Sequence, residues 1–451
     1  MSALPLDATS ATATPRTIWL SDYTPPEYLI DHVHLTFRLA PKATRVISRI
    51  TFRPNPEAQG LGEGALVLDG EDLRLIWAKI DGTALSEADY RLNETALTVP
   101  AARLPEGGFV WEAEVEIAPQ DNTALEGLYM SKGMYCTQCE AEGFRKITYY
   151  PDRPDVMAPF DVRIEGDAPI LLSNGNRGET GAGYAEWHDP WPKPAYLFAL
   201  VAGDLRAYSD QFTTASGREV DLNIYVRPGD EGYCAYAMDA LKRSMIWDEQ
   251  VYGREYDLDL FNIVAVDDFN MGAMENKGLN IFNSSCVLAS PETSTDANFE
   301  RIEAIIAHEY FHTWNVKRFR PAPLARYNYE QPTIVDLLWA AEGLTSYYDL
   351  LLLRRAKLVD DKRFLEMLGE MVDDVLDHPG YGRQSLAEAS EEAWIKGYHR
   401  GRDRTPDKRN ESVSFYAQGG VLGLVLDLKL RAATAGAASL DTLMTMLYED
   451  F

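Results

Sequence analysis

The spacing of apolar residues changes along this chain, and that change limits its architecture more than any other feature. From about Asp31 to Leu200, apolar and polar residues alternate in short runs: His32 to Leu39, Thr44 to Phe52, Ala65 to Leu68, Leu73 to Ile80, Phe109 to Ile117 and Val162 to Leu172. A period of two marks half-buried strands, and Asp81-Gly82 and Pro105-Glu106-Gly107-Gly108 supply turns between them. Residues 1–204 therefore read as an antiparallel β-sandwich-like domain. After Ala202-Gly203-Asp204 the texture is mixed, with strand-like runs at Leu222 to Val226 and Asp259 to Val266 around a helical pattern from Ala235 to Val251. Beyond Thr295 it is mostly helical: Asp296 to Lys317, Thr333 to Leu358, Asp361 to Asp377 and Val413 to Ala432. Residues 205–451 thus form a second domain that passes from α/β to α.

With 451 residues, 46% of them hydrophobic, the chain can fill several cores. Its 43 basic against 70 acidic residues give a formal net charge of −27, so the average surface repels nucleic-acid backbones and anionic lipid. No run reaches the roughly eighteen apolar residues of a membrane span, and Met1 to Arg16 lack the basic start and apolar stretch of an export signal. The expectation is a cytoplasmic protein without nucleic-acid or membrane partners. Cys136, Cys139, Cys234 and Cys286 are too few for a disulfide scaffold and read as reduced, buried thiols, with a redox pair or zinc site at Cys136 and Cys139 left open. His32 and His34 share a strand face with no third ligand adjacent, so they are given no role. Gly397 to Asn410 reads as an exposed loop. Leu440, Leu443, Met444, Leu447 and Phe451 line one helical face, which needs cover either from the preceding helices or from further chain.

The chemistry concentrates at His308-Glu309-Tyr310-Phe311-His312, inside a helical pattern that Ser294, Thr295 or Asp296 can cap. Four residues along a helix rise about 6 Å and turn about 400°, so both imidazoles leave one face and can share one ion. Glu309, one position along, is suited to take a proton from water rather than to bind the metal. A third ligand nineteen residues past the second histidine would be Gln331, a poor metal ligand. Glu342 is the better candidate, within Trp339 to Tyr348 on a helix whose buried side is Leu337, Leu338, Ala341 and Leu344. A solvated helix carboxylate remains the other reading of Glu342.

Upstream, Asn270 to Gly278 follows a strand, and Gly272 and Gly278 allow a backbone edge to approach a ligand, where an extended peptide can add as a strand. Glu275 in that segment, with Gln138 to Arg145 as a second acidic stretch, could surround one ammonium group with carboxylates, a structural role in a glycine-containing loop being the equal alternative reading of Glu275 taken alone. Buried carboxylates beside a metal are tolerated when a free α-amine neutralises them, which points to removal of residues from an N-terminus.

Met134 to Glu140, Tyr149 to Pro154, the Gly272-Ala273-Met274-Glu275-Asn276 box and His308 to His312 closely resemble bacterial aminopeptidase N, over about residues 15–312. That resemblance implies that Gln138, Glu140 and Glu275 bind the substrate amine, that Met271 lines the first side-chain pocket, and that Gly272, Ala273 and Met274 are substrate-binding positions. From His312 on, His312 to Arg318, Leu338 to Tyr348, Gln384 to Ser390 and Ser412 to Tyr416 resemble the glycyl aminopeptidase family, whose members usually carry a PDZ domain. The chain thus resembles a hybrid of two related zinc peptidase families, joined at the histidine helix.

Both resemblances imply a thermolysin-like catalytic domain over 205–451 with one Zn²⁺ per chain held by His308, His312 and Glu342. Glu309 would be the base and Tyr416 the oxyanion donor, a core aromatic being the other reading of Tyr416. The helical C-terminal domains of aminopeptidase N and any PDZ module are missing, so the catalytic domain is expected to be C-terminally incomplete. The expected function is a zinc aminopeptidase acting on peptides with a free N-terminus. The alternatives are a zinc endopeptidase, or a zinc-binding hybrid with little or no activity.

Overall fold

The computed structural model describes residues 25–58, 64–269, 271–312, 315, 337–355, 357, 359–393 and 412–450, with side chains to 447. The loop expected over Gly397 to Asn410, Gln331 and Phe451 lie outside the described residues.

Alternation builds the N-terminal half as expected. Tyr28–Arg38 and Thr44–Pro54 pair antiparallel, which turns Val33, Leu35 and Phe37 of one strand and Val46, Ile50 and Phe52 of the other into the core. They sit at the centre of an eight-stranded sheet ordered Asn176–Gly181, Tyr184–Pro194, Met157–Glu165, Tyr28–Arg38, Thr44–Pro54, Phe109–Ile117, Arg74–Ile80, Thr83–Ala84. One pairing in this sheet is parallel, Val33 to Arg38 beside Phe160 to Glu165. A four-stranded sheet (Ile170–Ser173, Leu200–Gly203, Met134–Gln138, Gly127–Ser131) and a three-stranded one (Leu66–Asp69, Ala96–Val99, Arg91–Leu92) share the same apolar core. The run expected as one strand from Val162 to Leu172 is two strands in two sheets. Gly166 breaks it by donating its N–H to Gly183 O at 2.9 Å.

Gly203 ends the four-stranded sheet, and Arg206 opens a five-stranded one ordered Arg206–Thr213, Glu219–Val226, Leu260–Val266, Leu279–Asn283, Ala273–Met274. Helices α1 (Ala235–Tyr252) and α2 (Asp296–Phe311) cover it through Met238, Leu241, Met245, Ile302, Ile306 and Tyr310. Leu260–Val266 is buried at every position, as a strand covered on both faces must be.

Among the described residues the remaining α-helices are α3 (Leu344–Arg355), α4 (Asp361–Leu376), α5 (Leu386–Glu392), α6 (Phe415–Ala433) and α7 (Leu440–Asp450). The apolar face of α7 packs back on them: Leu440 and Met444 are buried in one cluster with Trp247, Phe311, Leu344 and Tyr348. Arg355 ties α3 to α7, its Nη2 donating to Asp441 Oδ2 at 2.6 Å. All four cysteines are free and buried, as expected, and burial pushes the Cys136 thiol up to about 12.

Candidate metal centre

Helix α2 starts at a fixed residue. Thr295 accepts from the Asn298 N–H while the Asn298 side chain accepts from the Thr295 N–H, a capping box that selects Thr295 from the three possible caps. The described helix runs from Asp296 to Phe311, residues 313, 314, 316 and 317 of the expected span lying outside the described residues, and His312 keeps helical dihedrals at its C-cap and donates its N–H to His308 O at 3.1 Å. Both imidazoles therefore stay on one face, with their Nε2 atoms 3.0 Å apart.

Glu342 does not sit on a regular α-helix. It lies in a π-helical turn, Trp339–Gly343, that runs into α3. Leu337 and Leu338, expected to be buried, are only half-buried there, while Ala341 and Leu344 are inside as expected. Glu342 Oε2 lies 3.4 Å from His308 Nε2 and 3.6 Å from His312 Nε2. Ligands held tetrahedrally at zinc distances are about 3.3 Å from one another. The three edges, 3.0, 3.4 and 3.6 Å, bracket that value, so the donor set fits such an ion.

The far sides of the rings support this. His308 Nδ1 faces Asp349 Oδ2 at 3.3 Å, and His312 Nδ1 faces Asn315 O at 3.4 Å. Nδ1–H groups that donate there leave both Nε2 lone pairs for a cation. Burial would raise the Glu342 carboxyl, but His312 and His308 outweigh it and hold it well below the usual carboxylate range. Burial would likewise lower His308, and Asp349 with Glu342 and Glu309 overcomes it. Four carboxylates, with Glu275 the fourth, thus act on two imidazoles, a field that draws positive charge.

Asp349 and Asn315 were not anticipated as site residues. Asn315 ties the two ligand-bearing segments together: its carbonyl faces His312, and its Nδ2 donates to Ala341 O at 2.7 Å and to Thr345 Oγ1 at 2.8 Å. A histidine ligand usually has such an orienting partner, so a carboxylate seven residues past Glu342 on the same helix was the available signal. Asp349→Ala is expected to weaken zinc binding about 10- to 100-fold in a chelator competition. Wild-type affinity would show that the 3.3 Å contact does not orient His308.

Glu309 is buried on the same face, and burial first, then Glu275 and Glu342, lifts its carboxyl to about 7 against the pull of both histidines. Glu275 thus lies within electrostatic reach of Glu309 and His312. Its segment supplies one edge of the five-stranded sheet: Ala273–Met274 is the edge strand beside Leu279–Asn283, and Gly272 approaches Ile305 of α2. Met271 receives the Gln138 Nε2–H at 3.0 Å, and Gln138 Oε1 accepts the Glu140 N–H at 3.0 Å. The two stretches expected to bind substrate therefore meet. Tyr416 lies on the first turn of α6, its ring 4.7 Å from that of Phe415 and 38% of its surface exposed.

Three family descriptions match: Peptidase M1 N-terminal domain over 33–197, Peptidase family M1 domain over 236–317, and M61 glycyl aminopeptidase over 301–422. The last two overlap across both histidines. Aminopeptidase N of Caulobacter vibrioides is 55% identical over 314 residues, covering 68% of this chain and 36% of the relative. That of Escherichia coli is 49% identical over 315 residues, with 68% and 35% covered. The chain thus spans little more than a third of these relatives' length. Legionella pneumophila aminopeptidase A, solved with aspartic acid, superposes with a TM-score of 0.74 at 29% identity, over 96% of this chain and 46% of that one. Among the described residues no helix is long and apolar enough to cross a membrane. Over residues 33–317 the chain matches the M1 peptidase models and is similar to aminopeptidase N, and from the shared histidine helix it continues into a segment matching the glycyl aminopeptidases.

Proposed function

We propose that this chain is a zinc aminopeptidase that removes the N-terminal residue of peptides, with an N-terminal domain over 1–204 and a catalytic domain over 205–451. The convergence of His308 Nε2, His312 Nε2 and Glu342 Oε2 on one small volume, beside the buried Glu309, carries the reading. A Zn²⁺ ion bound there supplies Lewis-acid activation of water and of the scissile carbonyl. Glu309 takes the proton released by the attacking water and passes it to the leaving amine. Glu275, Glu140 and Gln138 hold the substrate α-amine, while Gly272, Ala273 and Met274 align the peptide along the sheet edge. Met271 lines the first side-chain pocket, and Tyr416 donates a hydrogen bond to the tetrahedral oxyanion. Four buried free thiols and the acidic surface favour the cytoplasm, with no nucleic acid or membrane partner.

The test compares a peptide with a free N-terminus and the same peptide N-acetylated. The acetyl group removes the charge that offsets Glu275 and Glu140, so kcat/KM is expected to fall at least about 100-fold, the cost of stranding a buried charge. Equal cleavage of both peptides would establish an endopeptidase. Stoichiometric zinc with no turnover on any aminoacyl amide would establish a metal-binding protein without activity.

A further inference from the structure

The exposed face of the eight-stranded sheet carries a second donor cluster, which shares no residue with the metal centre on α2. Cross-strand register assembles it: His34 sits opposite Asp161 in the parallel pair, and Asp161 opposite His188 in the neighbouring antiparallel pair. His32 precedes His34 by two residues on the same strand, and their ring centroids are 4.1 Å apart. Both rings address one oxygen. His32 Nε2 lies 3.4 Å and His34 Nδ1 3.3 Å from Asp161 Oδ2. The two histidines, given no role on sequence for want of a third ligand, thus have one in Asp161.

The other carboxylate oxygen has a different partner, His188 Nδ1 at 2.8 Å from Asp161 Oδ1. The His188 ring lies over Gly178, where a Cβ would collide with its Nε2. The carboxylate is thereby fixed with Oδ2 turned to the two imidazoles, the arrangement by which outer hydrogen bonds orient metal ligands. The three donor atoms all lie within 4.8 Å of one another, and two of the three edges match the roughly 3.3 Å ligand separation of a tetrahedral site. The neighbouring cations are Arg49, opposite His34 on the next strand, and Lys193, within electrostatic reach of Asp161; Glu112 pairs with the first at 3.5 Å and Asp189 with the second at 2.9 Å. Two imidazoles and one carboxylate suit borderline divalent ions over Mg²⁺ or Ca²⁺.

We infer that His32, His34 and Asp161 form a second metal site for a divalent transition-metal cation of the Zn²⁺ class, oriented by His188. The half-exposed side chains leave the remaining coordination positions to water. The ion spans the parallel pair and so pins Tyr28–Arg38 to a strand far along the chain.

Wild type, H34A, H312A and the double variant are equilibrated with micromolar free Zn²⁺, desalted and assayed for zinc per chain. The expected contents are about two, one, one and zero equivalents. Melting temperature gives the second readout: zinc raises that of H312A and leaves that of the double variant unchanged. D161N, which keeps the side-chain shape, replaces H34A if H34A does not fold, with the same expected loss. A wild type that saturates at one equivalent, or an H34A that keeps as much zinc as wild type, overturns the site in favour of a hydrogen-bonded histidine cluster.

Discussion

Replacing Glu309 with Gln is expected to lower kcat about 1,000-fold while bound zinc remains stoichiometric. In the proposed mechanism ligand and base are separate residues. Glu309 is adjacent to His308 in sequence, yet the oxygen that closes the donor triangle belongs to Glu342, 3.4 and 3.6 Å from the two Nε2 atoms. Gln has the same shape, so the packing around this buried position is kept, and only the proton acceptor and one negative charge are lost. Loss of that charge weakens the field around the imidazoles, but Glu342, Asp349 and Glu275 remain. The carboxyl, lifted to about 7 mainly by burial, must be ionised to act, so kcat/KM should rise with pH along the acid limb. A cation beside it moves that limb lower. The measurement pairs turnover of an aminoacyl amide with zinc content. A variant that loses zinc along with turnover would make Glu309 a ligand rather than the base.

Some of this site was legible because its signals are local. The histidine spacing, the cluster of possible helix caps at Ser294 to Asp296 and the alternation of the strands each need fewer than about a dozen residues of context. Glu342 was reachable because Gln331 failed as a ligand and an apolar helical pattern surrounded the next candidate. The residues that orient those ligands carry weaker signals. Asp349 and Asn315 act across helices, and neither carries a motif of its own. Asp161 joins His32 and His34 only through sheet register, which is why no third ligand stands near them in sequence. The break in the run from Val162 to Leu172 was similarly hidden, because both halves alternate and the two sheets they enter become distinct only on folding.

The contact that fixes Glu342 is the least visible of all and yields the second large effect. Gly343, the residue after the ligand, touches the backbone of α6: a Cβ there would lie 2.5 Å from Gly419 Cα and 2.8 Å from Phe415 O. Backbone atoms cannot rotate away as a side chain can, so Gly343→Ala must push the π-helical turn and α6 apart. We expect a loss of about 1–3 kcal/mol in stability, the usual cost of overpacking, together with weaker zinc binding as Glu342 moves off its 3.4 and 3.6 Å approach. Gly419→Ala should behave alike although it ligates nothing, since its Cβ would lie 2.9 Å from both Gly343 Cα and Trp339 O. Turnover should suffer in both, because the same displacement carries Tyr416, three residues before Gly419, on the first turn of α6. Gly369 in α4 serves as the opposite case: a Cβ there would meet nothing within 4 Å, so Gly369→Ala should stabilise by about 0.5–1 kcal/mol through helix propensity alone. Thermal unfolding and a zinc-buffer titration on the three variants decide the matter. If Gly343→Ala matches wild type in both, the two helices do not approach as closely as their glycines imply, and the position of Glu342 must be held by Asn315 and Thr345 instead.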